Sequence, residues 1–306
     1  MEILRTPDDR FISLPDWPYE PRYTDVPADP ADPSGPTLRI HHVDVGDPSS
    51  SETILCLHGE PTWGYLYRKM IPVFTAAGHR VVVPDLVGFG RSDKPGAVED
   101  YTYERHVFWM TRWLELNDVT GLTLVCQDWG GLIGLRLAAA MPQRFRRIVA
   151  ANTGLPTGDP PPNEAFVAWR TFSQTVKEFA VARIIEGGCA TKPLAPEVLA
   201  AYDAPFPDDR YKAGARIFPS LVPASLDDPS SAPNRAAWGA LGRWEKPFIC
   251  AFSDQDSITR NGEWAFRKAV PGAANAQHTT IEGGGHFLQE DRGPELAAFI
   301  VRALAQ

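Results

Sequence analysis

The sequence predicts an α/β fold, a mostly parallel sheet with helices on both faces and a helical cap inserted late in the chain. Three observations lead there. Continuous apolar runs of strand length recur along the 306 residues. They alternate with helix-length amphipathic stretches, as buried parallel strands do. The alternation then breaks between about 155 and 235, in a Pro-rich, aromatic stretch with helical pieces and no buried-strand run.

Taken in order, residues 1–37 are rich in Pro and Asp and read as an irregular arm. Strand runs follow at LRIHHVDV from Leu38, TILCLHG at 53–59, RVVVPD at 80–85, LTLVCQD at 122–128, RIVAANTG at 147–154, PFICAF at 247–252 and QHTTIEG at 277–283. Between them, 102–117 places Val107, Met110, Trp113, Leu114 and Leu116 near a helical period. The other helix-length stretches are 64–77, 130–141, 261–270 and 293–305. This divides the chain into a core of 1–154 and 231–306 and a cap of 155–230. A late insertion in such a fold often lies over the carboxyl ends of the strands, where ligands bind.

Composition narrows the function. Hydrophobic residues make up 43% and the formal charge is −8, so the chain is globular and has no basic stripe for nucleic acid or anionic membrane. No apolar run approaches the ~20 residues of a membrane span. The start, MEILRTPDDRF, lacks a signal-peptide pattern. A soluble, cytoplasmic monomer is expected. Cys56, Cys126, Cys189 and Cys250 form no metal-ligand spacing. His41 and His42 are adjacent in a strand and point to opposite faces, which disfavours joint metal binding. VGFG at 87–90 lacks the third glycine of a dinucleotide fingerprint. No metal or cofactor is implied.

Three short segments carry the chemistry. In VCQDWGG, 125–131, a buried-type strand runs into Asp128 and then into an apolar helix. This is the pattern of a nucleophile elbow, with Asp where Ser is usual. In AFSDQDSI, 251–258, a strand ends at two acids, Asp254 and Asp256, either of which could orient a histidine. In GGGHFLQE, 283–290, three glycines place His286 on a loop. The order nucleophile, acid, histidine is that of α/β-hydrolases.

An Asp nucleophile points away from esterase chemistry. It is ionised near neutral pH and needs no base. Its attack on saturated carbon gives an ester, which water can hydrolyse, whereas a Ser would give an inert ether. His286 would then take the proton of that water. The oxyanion hole would be the backbone N–H groups of Trp129 and of Glu60, in HGEPTW at 58–63. The leaving group is a halide or an epoxide oxygen. A halide wants dry N–H donors, which the Trp129 indole supplies. An epoxide oxygen needs a proton, for which the insert offers Tyr202 and Tyr211. Epoxide hydrolysis is therefore the alternative reading.

HGEPTW, CQDWGG at 126–131 and GGGHFLQED at 283–291 resemble the haloalkane dehalogenases. FVAWR at 166–170 and AYDAPFPDDRYKAGARIFPSLV at 201–222 are similar to the cap of their Xanthobacter-type subfamily. The resemblance covers essentially the whole chain. It implies Asp128 as nucleophile, His286 as base and Asp256, rather than Asp254, as the acid. It also implies Trp129 and Trp169 as paired halide donors, and a pocket lined by Phe166, Phe218, Val222 and Leu132. The implied substrates are short neutral haloalkanes, with water consumed and halide released. Leu132 departs from the subfamily, where an aromatic is common, and Ser257 and Thr259 are unusually polar.

Overall fold

The computed structural model describes residues 1–305. Among the described residues there are ten strands: β1 Ile3–Leu4, β2 Arg22–Asp29, β3 Asp32–Val45, β4 Thr53–Leu57, β5 Arg80–Pro84, β6 Lys94–Pro95, β7 Leu122–Gln127, β8 Phe145–Ala151, β9 Phe248–Ser253 and β10 Thr279–Ile281. Eight of them form one sheet in the order β10-β9-β8-β7-β4-β5-β3-β2. Pairs from β10 to β5 are parallel, and β3 and β2 add an antiparallel edge. Strands β4 and β7 are buried at every residue, which is why they read as unbroken apolar runs.

The helices are α1 Ile71–Ala76, α2 Tyr103–Leu116, α3 Trp129–Ala140, α4 Glu164–Thr175, α5 Val181–Gly188, α6 Pro196–Asp203, α7 Ala213–Ile217, α8 Ser231–Leu241, α9 Glu263–Ala269 and α10 Leu288–Leu304. Helix α2 starts where the Thr102 side chain accepts the N–H of Arg105, and it buries His106, Trp109, Met110 and Trp113. Helices α4 to α7 all come from the stretch that lacks strand runs.

The expected irregular arm is a correction. Residues 22–29 form β2, an edge strand paired with β3 from Arg22↔His42 to Asp29↔Asp32. Its burial alternates at Val26 and Ala28, but Pro27 sits between them and hides the pattern. An edge strand tolerates that proline because one side of its backbone needs no partner. The stretch 64–77 also divides, into a 3₁₀ turn at Gly64–Tyr67 and then α1, which has Pro72 in its first turn. Helix α10 begins before residue 293 and kinks at Arg292, just ahead of Pro294.

Sheet order reverses between β4 and β7, which are neighbours although far apart in sequence. The crevice beyond the carboxyl ends of two such strands is the usual ligand site of an open α/β sheet. Glu60 follows β4 there and Asp128 follows β7.

Candidate active site

Asp128 sits between β7 and α3 at φ 50° and ψ −127°, a backbone conformation that costs a non-glycine residue energy. The turn persists because its surroundings fit it closely. A Cβ on Gly130 would lie 2.0 Å from the Leu57 carbonyl oxygen, and one on Gly59 would lie 2.2 Å from Asp128 Oδ1. Main-chain carbonyls cannot yield, so the chain can approach here only as glycine.

The Glu60 N–H donates to Asp128 Oδ1 at 2.8 Å. Asp128 Oδ2 faces His286, whose Nε2 is 3.6 Å away. Trp129 opens α3, so its N–H belongs to the first-turn donors that have no partner within the helix. On the far side of the ring, His286 Nδ1 lies 3.0 Å from Asp256 Oδ2. Asp256 is 2% exposed and also accepts from the Ile258 N–H at 2.8 Å and from the Thr259 hydroxyl. That bond accounts for the polar Thr259. Asp254 faces elsewhere, accepting from the Gly283 N–H at 2.8 Å.

Charge pairing dominates this cluster. Burial would raise the Asp256 carboxyl, but the His286 charge and the hydrogen bonds from His286, Thr259 and Ile258 hold it down at about 2. Burial would lower His286, yet the charge of Asp256 and the contacts with Asp128 raise it from 6.5 to about 10.

A cavity of about 1190 Å³ opens onto Asp128, Asp256 and His286. Trp129, Trp169, Phe166, Leu132 and Val222 line it. Phe218 is a correction: it is fully buried behind Trp129, with ring centroids 4.6 Å apart, and does not line the cavity. It comes from the 3₁₀ turn at 218–221 and packs edge-on against both Trp129 and His106, which turns it away from the open space. Among the described residues, neither the Trp129 nor the Trp169 indole N–H has a protein acceptor. The indoles of Trp63, Trp109, Trp113 and Trp238 each have one. Of the three tryptophans that line the cavity, Trp238 donates its indole N–H to the Leu155 carbonyl oxygen at 2.8 Å, which leaves the Trp129 and Trp169 donors uncommitted there.

A family model described as alpha/beta hydrolase fold matches residues 52–293. A haloalkane dehalogenase of Psychrobacter cryohalolentis is 54% identical over 302 residues, covering 99% of this chain and 98% of the relative. This chain belongs to the haloalkane dehalogenases.

A haloalkane dehalogenase of Mycolicibacterium paratuberculosis is 50% identical over 98% of both chains. The tetrameric haloalkane dehalogenase DpaA from Paraglaciecola agarilytica NO2 has the same fold, with a TM-score of 0.91 and 40% identity over 100% of this chain and 99% of its own. Two features of this haloalkane dehalogenase lie beyond the sequence reading. Gln127 is fully buried, and its Nε2 is 3.1 Å from both His286 Nε2 and the His286 carbonyl oxygen. Asn152, at the end of β8, donates to the carbonyl oxygens of Gly285 and His286 and so braces the histidine loop. A polar residue ending an apolar strand run was the available signal for both.

The tyrosines required by an epoxide hydrolase are elsewhere. Among the described residues no tyrosine lines the cavity. The Tyr202 hydroxyl donates to Glu290 Oε2 at 2.5 Å, inside a buried cluster where Arg68 holds both Glu290 oxygens at 2.6 and 2.7 Å. Among the described residues no helix is long and apolar enough to cross a membrane, and no group of three or more His, Cys, Asp or Glu gathers as a metal site.

Proposed function

We propose that this haloalkane dehalogenase hydrolyses neutral haloalkanes to alcohol, halide and proton through an ester on Asp128, with 155–230 as a cap over the core. The observation that carries this reading is the carboxylate at the strained turn, with one oxygen on the Glu60 N–H and the other toward His286.

Asp128 Oδ2 attacks the carbon that bears the halogen, and the carbon–halogen bond breaks with its electron pair on the halide. Trp129 and Trp169 receive that ion through their free indole N–H groups. Oδ1 remains as the ester carbonyl oxygen, already in the oxyanion hole of the Glu60 and Trp129 N–H groups. Before this step two carboxylates hold the proton on His286. Esterification removes the Asp128 charge, which lowers the proton affinity of the ring and frees Nε2 to act. His286 then takes a proton from water as that water attacks the ester carbonyl carbon, while Asp256 stabilises the imidazolium. Collapse of the tetrahedral intermediate releases the alcohol and leaves one solvent oxygen in Asp128.

Leu132, where an aromatic is common, leaves space beside the nucleophile. The cavity also exceeds the range of about 300–1,000 Å³ typical of small-molecule pockets, so chains longer than ethyl fit. Halide release measured on ethyl through octyl bromides and chlorides, beside opening of styrene oxide, tests the reading. Turnover of the epoxide without halide release would overturn it. The expected monomer stands against the tetramer of the Paraglaciecola relative, and light scattering of the purified protein decides between them.

A further inference from the structure

Thr259 stands three residues after the triad acid, in DQDSIT, and is one of the two unusually polar residues of that segment. Its β-branched side chain has few rotamers, so the backbone sets where the hydroxyl points. That backbone is held closely. The Thr259 carbonyl oxygen accepts the Gly262 N–H at 2.8 Å, and a Cβ on Gly262 would lie 2.9 Å from that oxygen and 3.1 Å from the Thr153 carbonyl oxygen. The Thr259 hydroxyl donates to Asp256 Oδ2, the Thr259 N–H reaches the same atom at 3.3 Å, and His286 Nδ1 lies 3.0 Å from it. The other carboxylate oxygen, Oδ1, takes the Ile258 N–H at 2.8 Å. With Nδ1 on one oxygen and the Ile258 N–H on the other, the buried carboxylate is already paired. The Thr259 O–H is a further donor on the one atom that faces the base.

We propose that Thr259 is a positioning residue that acts through Asp256: by giving its O–H to the oxygen that faces His286 Nδ1, it takes up part of that oxygen's charge and tempers the stabilisation that Asp256 gives the imidazolium. This rests on the assignment of His286 as the base. A donor on a carboxylate draws off charge, and an imidazolium is stabilised by the charge its partner keeps. Once Asp128 is esterified, the ring therefore becomes neutral, and able to accept the proton of water, at a lower pH than Asp256 alone would allow. Thr259 itself carries no charge, so replacing it leaves the charged groups around the ring in place. Asp128 faces Nε2 from the elbow and Glu60 acts from the loop after β4. Asp254 takes the Gly283 N–H, Asp291 of α10 takes the N–H groups of Gly285, Ala190 and Thr191, and Glu290 is held by Arg68 and Lys69. In the cap, Arg183 pairs with Glu186 and Lys192 donates to the Gly187 carbonyl oxygen, and Glu178 and Arg260 line the same cavity.

Single-turnover hydrolysis of the alkyl ester, followed across pH, tests this. Thr259→Val keeps the shape of the side chain and loses the donor. Its midpoint for hydrolysis should move up by about half to one unit, so that hydrolysis below the midpoint slows about three- to tenfold while the plateau above it keeps the wild-type rate. Thr259→Ser, which keeps the hydroxyl, should restore the wild-type midpoint. A residue that merely props the loop would behave otherwise. Letting Asp256 slip would weaken its support of the imidazolium, slow hydrolysis at every pH and move the midpoint down. A midpoint in Thr259→Val that is unmoved or lower overturns the proposal, as does a Thr259→Ser midpoint that matches Thr259→Val. If Thr259→Val does not fold, Thr259→Cys, whose thiol is a weaker donor of similar size, decides by the same midpoint. Failure of the parent reading looks different, since wild type itself would then form no alkyl ester.

Discussion

His286 Nε2 stands 3.6 Å from Asp128 Oδ2, longer than a good hydrogen bond and close enough for the two charges to interact strongly. The ring reaches the ester only through water, so losing it should spare the first chemical step. His286→Ala should release one halide per site from 1,2-dibromoethane and then stall. Intact-protein mass would show the added alkyl group, and continued turnover would count against the mechanism.

The same pairing makes stability depend on pH. His286 has a folded value of about 10 against 6.5 when unpaired, so its contribution is complete below pH 6.5 and disappears as the pH rises through about 10. Asp256 behaves in the opposite sense: its contribution is present above 3.8 and is lost as the pH falls through about 2. Urea midpoints of wild type minus His286→Gln should therefore decline between pH 6.5 and 10. A flat difference would show that the ring is not held as imidazolium in the resting fold.

Halide binding should depend on the Trp129 and Trp169 indoles, the cavity tryptophans whose N–H has no protein acceptor. Trp169→Phe keeps the aromatic bulk and removes the N–H, so bromide affinity should fall about tenfold, the scale of one hydrogen bond to a charged group, while the melting temperature changes little. Bromide quenching of tryptophan fluorescence measures the first and thermal unfolding the second.

The elbow should not accept a side chain. Gly130→Ala would put a methyl group 2.0 Å from the Leu57 carbonyl oxygen, and neither main-chain segment can move without displacing Asp128. Halide release should fall by at least about a hundredfold, as expected when a reacting atom is misplaced. A folded variant with near-native activity would contradict this account of the turn.

Tyr202 ties α6 to α10 through Glu290. Tyr202→Phe should cost about 1.5–3 kcal/mol of stability, the range for a hydrogen bond to a charged group, since Arg68 and Lys69 still hold the carboxylate. The first halide burst should survive. Loss of the burst in a folded variant would place the hydroxyl in the chemistry after all.

Much of this was legible in the residues. Strands β4, β7 and β9 are buried on both faces, and burial of that kind leaves unbroken apolar runs. Two of the three chemical segments follow such strands, β7 and β9, and the third follows the short, partly exposed β10. What escaped was held by tertiary contacts. The edge strand β2 exists because β3 lies beside it. Phe218 occupies the expected stretch, but its direction is set by the rings of Trp129 and His106. Gln127 stood out only as a polar residue ending an apolar run, and its contact with His286 is set by the tertiary fold.

The edge-on contact of Trp129 with Phe218 has a consequence for product escape. Trp129 belongs to α3, and both Trp169 and Phe218 come from the inserted helices. If the two indoles hold the halide as proposed, their donors are rooted in different parts of the chain, and the Trp129 ring leans on Phe218 from the inserted stretch. On that assignment, a displacement of the inserted stretch would separate the two donors and the Trp129–Phe218 contact at once, so loss of the anion's ligands and exposure of the site would be coupled.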